Sequence, residues 1–147
     1  MKPIGGFFEL ENIRKREKPF LHQDAIALSS GRASLNFILK SLRPSLLYVP
    51  FYTCNALLQP IRLNKIANKF YPINEHLEPA GGIELQEGEY LIYINYFGIK
   101  SDVVENLISK FGNKLIVDNS QAFFEPEHKG IWIANNNSVL LQSDARH

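Results

Sequence analysis

Residues Tyr90 to Asp118, YLIYINYFGIKSDVVENLISKFGNKLIVD, alternate between two hydrophobic patterns. Tyr90-Leu91-Ile92-Tyr93-Ile94 is apolar at every position, short, and rich in aromatic and β-branched side chains, the pattern of a buried strand. Ser101 then offers an N-cap, and Val104, Leu107, Ile108 and Phe111 recur at the spacing of one helix face. Gly112 stands where a C-terminal glycine cap belongs. Leu115-Ile116-Val117 is a second apolar strand, running into Asp118. Strands that are apolar on both faces, joined through an amphipathic helix, predict parallel neighbours in a sheet covered on both sides.

The same alternation extends upstream. Leu35, Ile38, Leu39 and Leu42 predict a helix from about Arg32 to Leu42, closed by Pro44. Leu46-Leu47-Tyr48-Val49 reads as a strand ended by Pro50. Thr53 is placed to cap a helix carrying Leu57, Leu58 and Ile61, which Pro60 should kink or end because its ring conflicts with a carbonyl one turn back. Lys69-Phe70-Tyr71-Pro72-Ile73 reads as a strand near a sheet edge. Asn74 to Glu89, with Pro79 and Gly81-Gly82, reads as a loop, and Gly5 to Glu11 as an irregular lead-in. The expected class is α/β with a mostly parallel sheet, without internal repeats or linkers.

Composition narrows the functions. With 45% hydrophobic and 21% charged residues, the 147-residue chain can bury a sizeable core. Its formal charge of +1 gives no reason to expect a nucleic acid or an anionic membrane as partner. A single cysteine, Cys54, excludes an internal disulfide and a thiolate zinc site, and it reads as an ordinary buried small residue. His22, His76, His128 and His147 have no metal-ligand spacing. No run is apolar enough for a signal peptide or a membrane span, so a cytoplasmic location is expected. No Gly-x-Gly-x-x-Gly follows a strand, which argues against a dinucleotide domain.

Two places carry potential chemistry. In open α/β sheets ligands gather beyond the carboxyl ends of strands, where Asp118 falls. Ser29-Ser30-Gly31-Arg32 opens a helix, where free N–H groups and the helix dipole favour an anion. Each also has a plain structural reading: a helix cap for the serines, a polar turn for Asp118-Asn119.

Four blocks in order bear on that choice: Ser30-Gly31-Arg32-Ala33-Ser34-Leu35, Val49-Pro50-Phe51-Tyr52-Thr53-Cys54, Asn95-Tyr96-Phe97-Gly98, and Val117-Asp118-Asn119-Ser120-Gln121-Ala122-Phe123. Through them the chain, from about Gly5 to Gly130, resembles the DegT/DnrJ/EryC1/StrS sugar aminotransferases, fold-type I pyridoxal-phosphate enzymes. The resemblance implies part of a three-layer α/β/α large domain, pyridoxal 5'-phosphate as cofactor, and a nucleotide-linked keto sugar as amino acceptor. It also leaves room for a homodimer. Asp118 matches the carboxylate that pairs with the cofactor's pyridine nitrogen and keeps it protonated. Gln121 matches the residue beside the ring and its phenolic oxygen. Ser30, Gly31 and Arg32 match the loop around the phosphate. The family's ring-stacking aromatic falls where this chain has Cys54, with Tyr52 as a nearby substitute or as plain packing. Asn95 and Tyr96 match a segment lining the pocket, while Tyr96 and Phe97 equally suit a core.

The family's cofactor-holding lysine has no counterpart. The last lysine, Lys129, comes too soon after Asp118. The expected organisation is an incomplete transferase-like large domain over 1–130 and an atypical tail over 131–147. A truncated aminotransferase is the leading expectation, with Leu57, Leu58 and Leu107 left wanting cover and the chain prone to associate. The alternative is a non-catalytic phosphate-ligand or partner-binding module on the same scaffold.

Overall fold

The structure, a computed structural model, describes residues 26–122, 130–134 and 138–141. In chain order these form β1 (Ile26–Ala27), α1 (Gly31–Leu42), β2 (Leu46–Pro50), α2 (Asn55–Leu63), β3 (Asn68–Tyr71) and β4 (Glu89–Ile94). There follow α3 (Ser101–Phe111), β5 (Leu115–Asn119), β6 (Ile131–Ala134) and β7 (Ser138–Leu141). The lead-in Gly5 to Glu11, the three histidines other than His76, Lys129 and the Asn135-Asn136-Asn137 run lie outside the described residues.

The strands make one sheet in the order β1-β7-β6-β5-β4-β2-β3. From β3 to β6 every neighbour is parallel, whereas β7 runs antiparallel to both β6 and β1. The consecutive residues Leu91, Ile92 and Tyr93 have no exposed surface. Side chains along a strand alternate between faces, so both faces of the sheet are covered there. One cover is α1, packed on α2 and reaching β6 and β7; the other contact is α3 on β5. The α/β class and mostly parallel sheet expected from Tyr90 to Asp118 are the observed ones.

Local chemistry explains the element ends. At α1 the Ser30 hydroxyl accepts from the Ala33 N–H at 3.2 Å, and Arg43 closes the helix in the left-handed region, its N–H bonded to the Leu39 carbonyl. The edge position of β3 and the glycine cap at Gly112 also follow the sequence reading. Three details depart from it. Cys54, not Thr53, is the N-cap of α2, and it makes no side-chain capping bond. Pro60 stays inside α2, which runs on to Leu63: it lies within a turn of the end, so only one helical hydrogen bond is forgone, and its ring is buried. Ser101 is the first helical residue of α3, with Lys100 as its N-cap.

The expected boundary at residue 130 is not a boundary of the sheet. Ile131 pairs with Ile116 and Ile133 with Asp118, and both isoleucines are buried. β7 then folds back on β6. A run of only four residues with polar flanks carries too weak a pattern to separate a strand from a loop. The bare apolar surface foreseen at Leu57 and Leu107 is also absent, since both are buried, and Leu58 packs against the core. Among the large side chains that are exposed, Ile26, Leu63 and Phe70 are scattered over β1, α2 and β3, whereas Phe51, Tyr52, Phe97 and Ile99 follow the carboxyl ends of β2 and β4.

Candidate functional site

The topology opens a cleft where two of those exposed side chains, Tyr52 and Phe97, stand. From β2 the chain passes through α2 to β3 on one flank, and then returns to β4 on the other flank of β2. Beyond the carboxyl ends of such diverging strands the connecting segments part and leave a crevice. Here the crevice is a cleft of about 680 Å3, walled by the start of α1, the β2–α2 turn, and the turns after β4 and β5.

Seven of the eight residues singled out from the sequence line it. Ser30, Gly31 and Arg32 come from the start of α1, Tyr52 and Cys54 from the β2–α2 turn, and Asp118 and Gln121 from the end of β5. The start of α1 and the β5 turn meet closely: a methyl group built on Gly31 would stand 3.4 Å from the Ser120 Oγ. The first turn of a 12-residue helix and a carboxylate therefore share one cleft.

Asp118 is held in a definite posture. Its Oδ1 accepts from the Ser120 N–H at 2.9 Å and from the Ser120 hydroxyl. Burial pushes the carboxyl above its ordinary value, and the two bonds from Ser120 pull it back toward the ionised form. A ligand nitrogen bearing a proton would relieve the same desolvation by pairing with the carboxylate. Ser120 was not foreseen as part of the site, although the Asp-x-Ser spacing is a turn signal in which a short side chain closes on the backbone two residues later.

Gln121 has its carbonyl end engaged: the Phe97 N–H donates to Oε1 at 3.1 Å. An N–H can only meet the amide's oxygen, so the Nε2 end is the one left to donate elsewhere. This bond ties the turn after β4 to the turn after β5. Gly98 tightens the same seam. It has φ +68°, and a methyl group there would stand 3.3 Å from Ala122 Cα and Cβ. Gly98→Ala is expected to lower stability by about 1–2 kcal/mol through strain at positive φ and this close approach, measured as a lower urea midpoint.

Asn95 is the residue the cleft does not include. Its side chain is fully buried, its Oδ1 accepts from the Lys100 N–H at 3.2 Å, and its own N–H donates to the Asp118 carbonyl. It anchors the β4 turn to α3 from beneath. The next residue, Tyr96, does reach the cleft while remaining buried. Its hydroxyl donates to the Tyr52 carbonyl at 2.8 Å, and the two rings stack with centroids 5.6 Å apart. Burial above all, then the neighbouring Tyr52 and Asp118, pushes the Tyr96 hydroxyl far above the usual tyrosine range, which keeps it a donor. Cys54 is exposed in the cleft wall, contrary to its expected burial, because as a helix N-cap it sits at the turn and not on the packed face of α2. Among the described residues there is no cluster fit to hold a metal ion, and no helix is long and apolar enough to cross a membrane.

No family model matches the sequence, and no curated protein matches it. The likeness is structural. The sugar aminotransferase CalS13 of Micromonospora echinospora superposes with a TM-score of 0.56 at 13% identity, over 83% of this chain and 42% of that one. The GDP-4-keto-6-deoxymannose-3-dehydratase ColD gives 0.57 at 16% identity, over 82% and 40%. A DegT DnrJ EryC1 StrS aminotransferase of Brucella abortus gives 0.51 at 18% identity, over 67% and 31%. The chain thus has the fold of the front part of these enzymes and spans about two fifths of the length of CalS13 and ColD. A transaminase and a dehydratase share that fold, so the fold does not set the reaction.

Proposed function

We propose that the cleft binds pyridoxal 5'-phosphate, and that the whole protein's activity is aminotransferase-like, directed at a nucleotide-linked keto sugar. The observation that carries the binding part is the pairing, in one cleft, of a half-buried carboxylate with the N-terminus of α1. A phosphate suits the free N–H groups near Ser30 and Gly31 and the guanidinium of Arg32. A protonated ring nitrogen suits Asp118, oriented by Ser120. The free amide end of Gln121 suits an oxygen on the ring. Bound there, the group would supply an electron sink for bonds at an adjoining carbon. The chain's own residues bind it, orient it and, through Asp118, hold its nitrogen proton.

The alternative, a phosphate-ligand module without catalysis, is favoured by one observation: no lysine lines the cleft among the described residues. The two readings divide on covalent chemistry. Titration with pyridoxal 5'-phosphate should give saturable binding near one equivalent, lost when the phosphate is removed from the ligand. Borohydride reduction followed by mass spectrometry then reads the lysines. One specific adduct supports the enzyme; saturable binding with scattered labelling supports the module; absence of saturable binding sinks both. A homodimer and a cytoplasmic location belong to the same proposal, the first to be checked by sedimentation.

A further inference from the structure

We propose that Phe97 is the aromatic side chain that covers the ring of the ligand, in place of the missing aromatic at position 54; this rests on the cleft binding a planar phosphorylated pyridine. Phe97 lies in the cleft wall, yet 62% of its surface is exposed. Among the described residues its ring packs against no other ring, whereas Tyr52, the other exposed aromatic of the wall, already stacks on Tyr96. A large apolar ring open on a cleft offers a flat face against which a planar ligand can bury area.

The backbone strengthens the case. Phe97 sits at φ 57°, ψ 9°, in the left-handed region that bulky side chains avoid. Gly98 follows at φ +68°, so two consecutive residues are left-handed, and a glycine at position 97 would meet the same backbone without the penalty a side chain brings. The chain instead keeps the ring at the strained position and fixes it there with the Gln121 bond to its N–H. Strain held by its surroundings, beside a ligand cleft, signals a side chain that the site needs. The same Gln121 that offers its amide hydrogen to the ligand thereby also sets the height of the ring.

The two effects make Phe97→Gly a variant with opposite consequences. Glycine relieves the left-handed strain, so the thermal midpoint should rise by a few degrees. Loss of the ring should weaken ligand binding about tenfold, the scale of one aromatic stacking contact. Phe97→Trp keeps a ring and should bind within about threefold of the parent. The probe is pyridoxamine 5'-phosphate, which has no aldehyde and so leaves every lysine out of the measurement, titrated by calorimetry. Binding by the parent, a tenfold loss in Phe97→Gly and retention in Phe97→Trp support the inference. Equal binding by parent and Phe97→Gly overturns it while leaving the proposed function standing, and so does an equal loss in both variants. A folded parent that binds no pyridoxamine 5'-phosphate overturns the proposed function and this inference together.

Discussion

Asp118→Asn should make the chain more stable at neutral pH and less able to bind its ligand. The stability half follows from the sign of the carboxyl's shift. Burial raises Asp118 above its ordinary value of 3.8, with the Ser120 bonds opposing. The folded state therefore keeps a proton at pH values where the unfolded chain has lost it. Binding more protons when folded means that stability falls as pH rises, beginning near the ordinary value and ending above the raised one. Asparagine keeps an oxygen for the Ser120 N–H and has no charge to desolvate, so the variant should lose this slope. Thermal midpoints should coincide below the ordinary aspartate range and separate at pH 7, with Asp118→Asn higher. The binding half runs the other way. A charge-assisted bond to a half-buried carboxylate contributes on the order of 10–100-fold in affinity, and the amide cannot supply it. A variant that is less stable at pH 7, or that binds pyridoxal 5'-phosphate as the parent does, removes Asp118 from the proposed role.

What could be read from the residues alone follows the strength of each local signal. The helix Gly31–Leu42 and the strand–helix–strand over Tyr90 to Asp118 each carry a full hydrophobic period, and both stand where expected. Cys54, Asn95 and Ser101 were misplaced by smaller margins, because caps and turns depend on backbone angles that residue type only biases. Asn95 shows the limit well: the family resemblance matches it to a segment lining the pocket, whereas its amide braces the backbone entering α3. The strands Ile131–Ala134 and Ser138–Leu141 were illegible for another reason. Four residues gain strand character from the neighbours they pair with, β5 and β7 for the first strand and β6 and β1 for the second, and not from a hydrophobic period of their own. Phe97 was legible only as an aromatic that suited either core or cleft; its exposure and its positive φ come from the fold.

Ile116→Ala should have the largest effect on stability, and it supplies the control that Asp118→Asn needs. Ile116 has no exposed surface, and it pairs with Ile92 on β4 and Ile131 on β6, at the middle of the sheet. Truncating a fully enclosed isoleucine removes its burial and leaves a hole among rigid neighbours, at a cost of about 3–4 kcal/mol. That is a large part of a typical domain's margin, and the thermal midpoint should fall by on the order of 10 °C. Yet the side chain is two residues short of Asp118 in β5 and absent from the cleft lining, so the binding groups are untouched. A ligand that binds only the folded chain adds stability by mass action, about 2.7 kcal/mol at a hundred times its dissociation constant. Saturating pyridoxal 5'-phosphate should therefore lift the midpoints of the parent and of Ile116→Ala by similar free energies. It should lift Asp118→Asn far less, although that variant starts from the most stable protein of the three. Equal lifts in all three would mean that the ligand stabilises the fold from somewhere other than the carboxylate, and the cleft would lose its assignment.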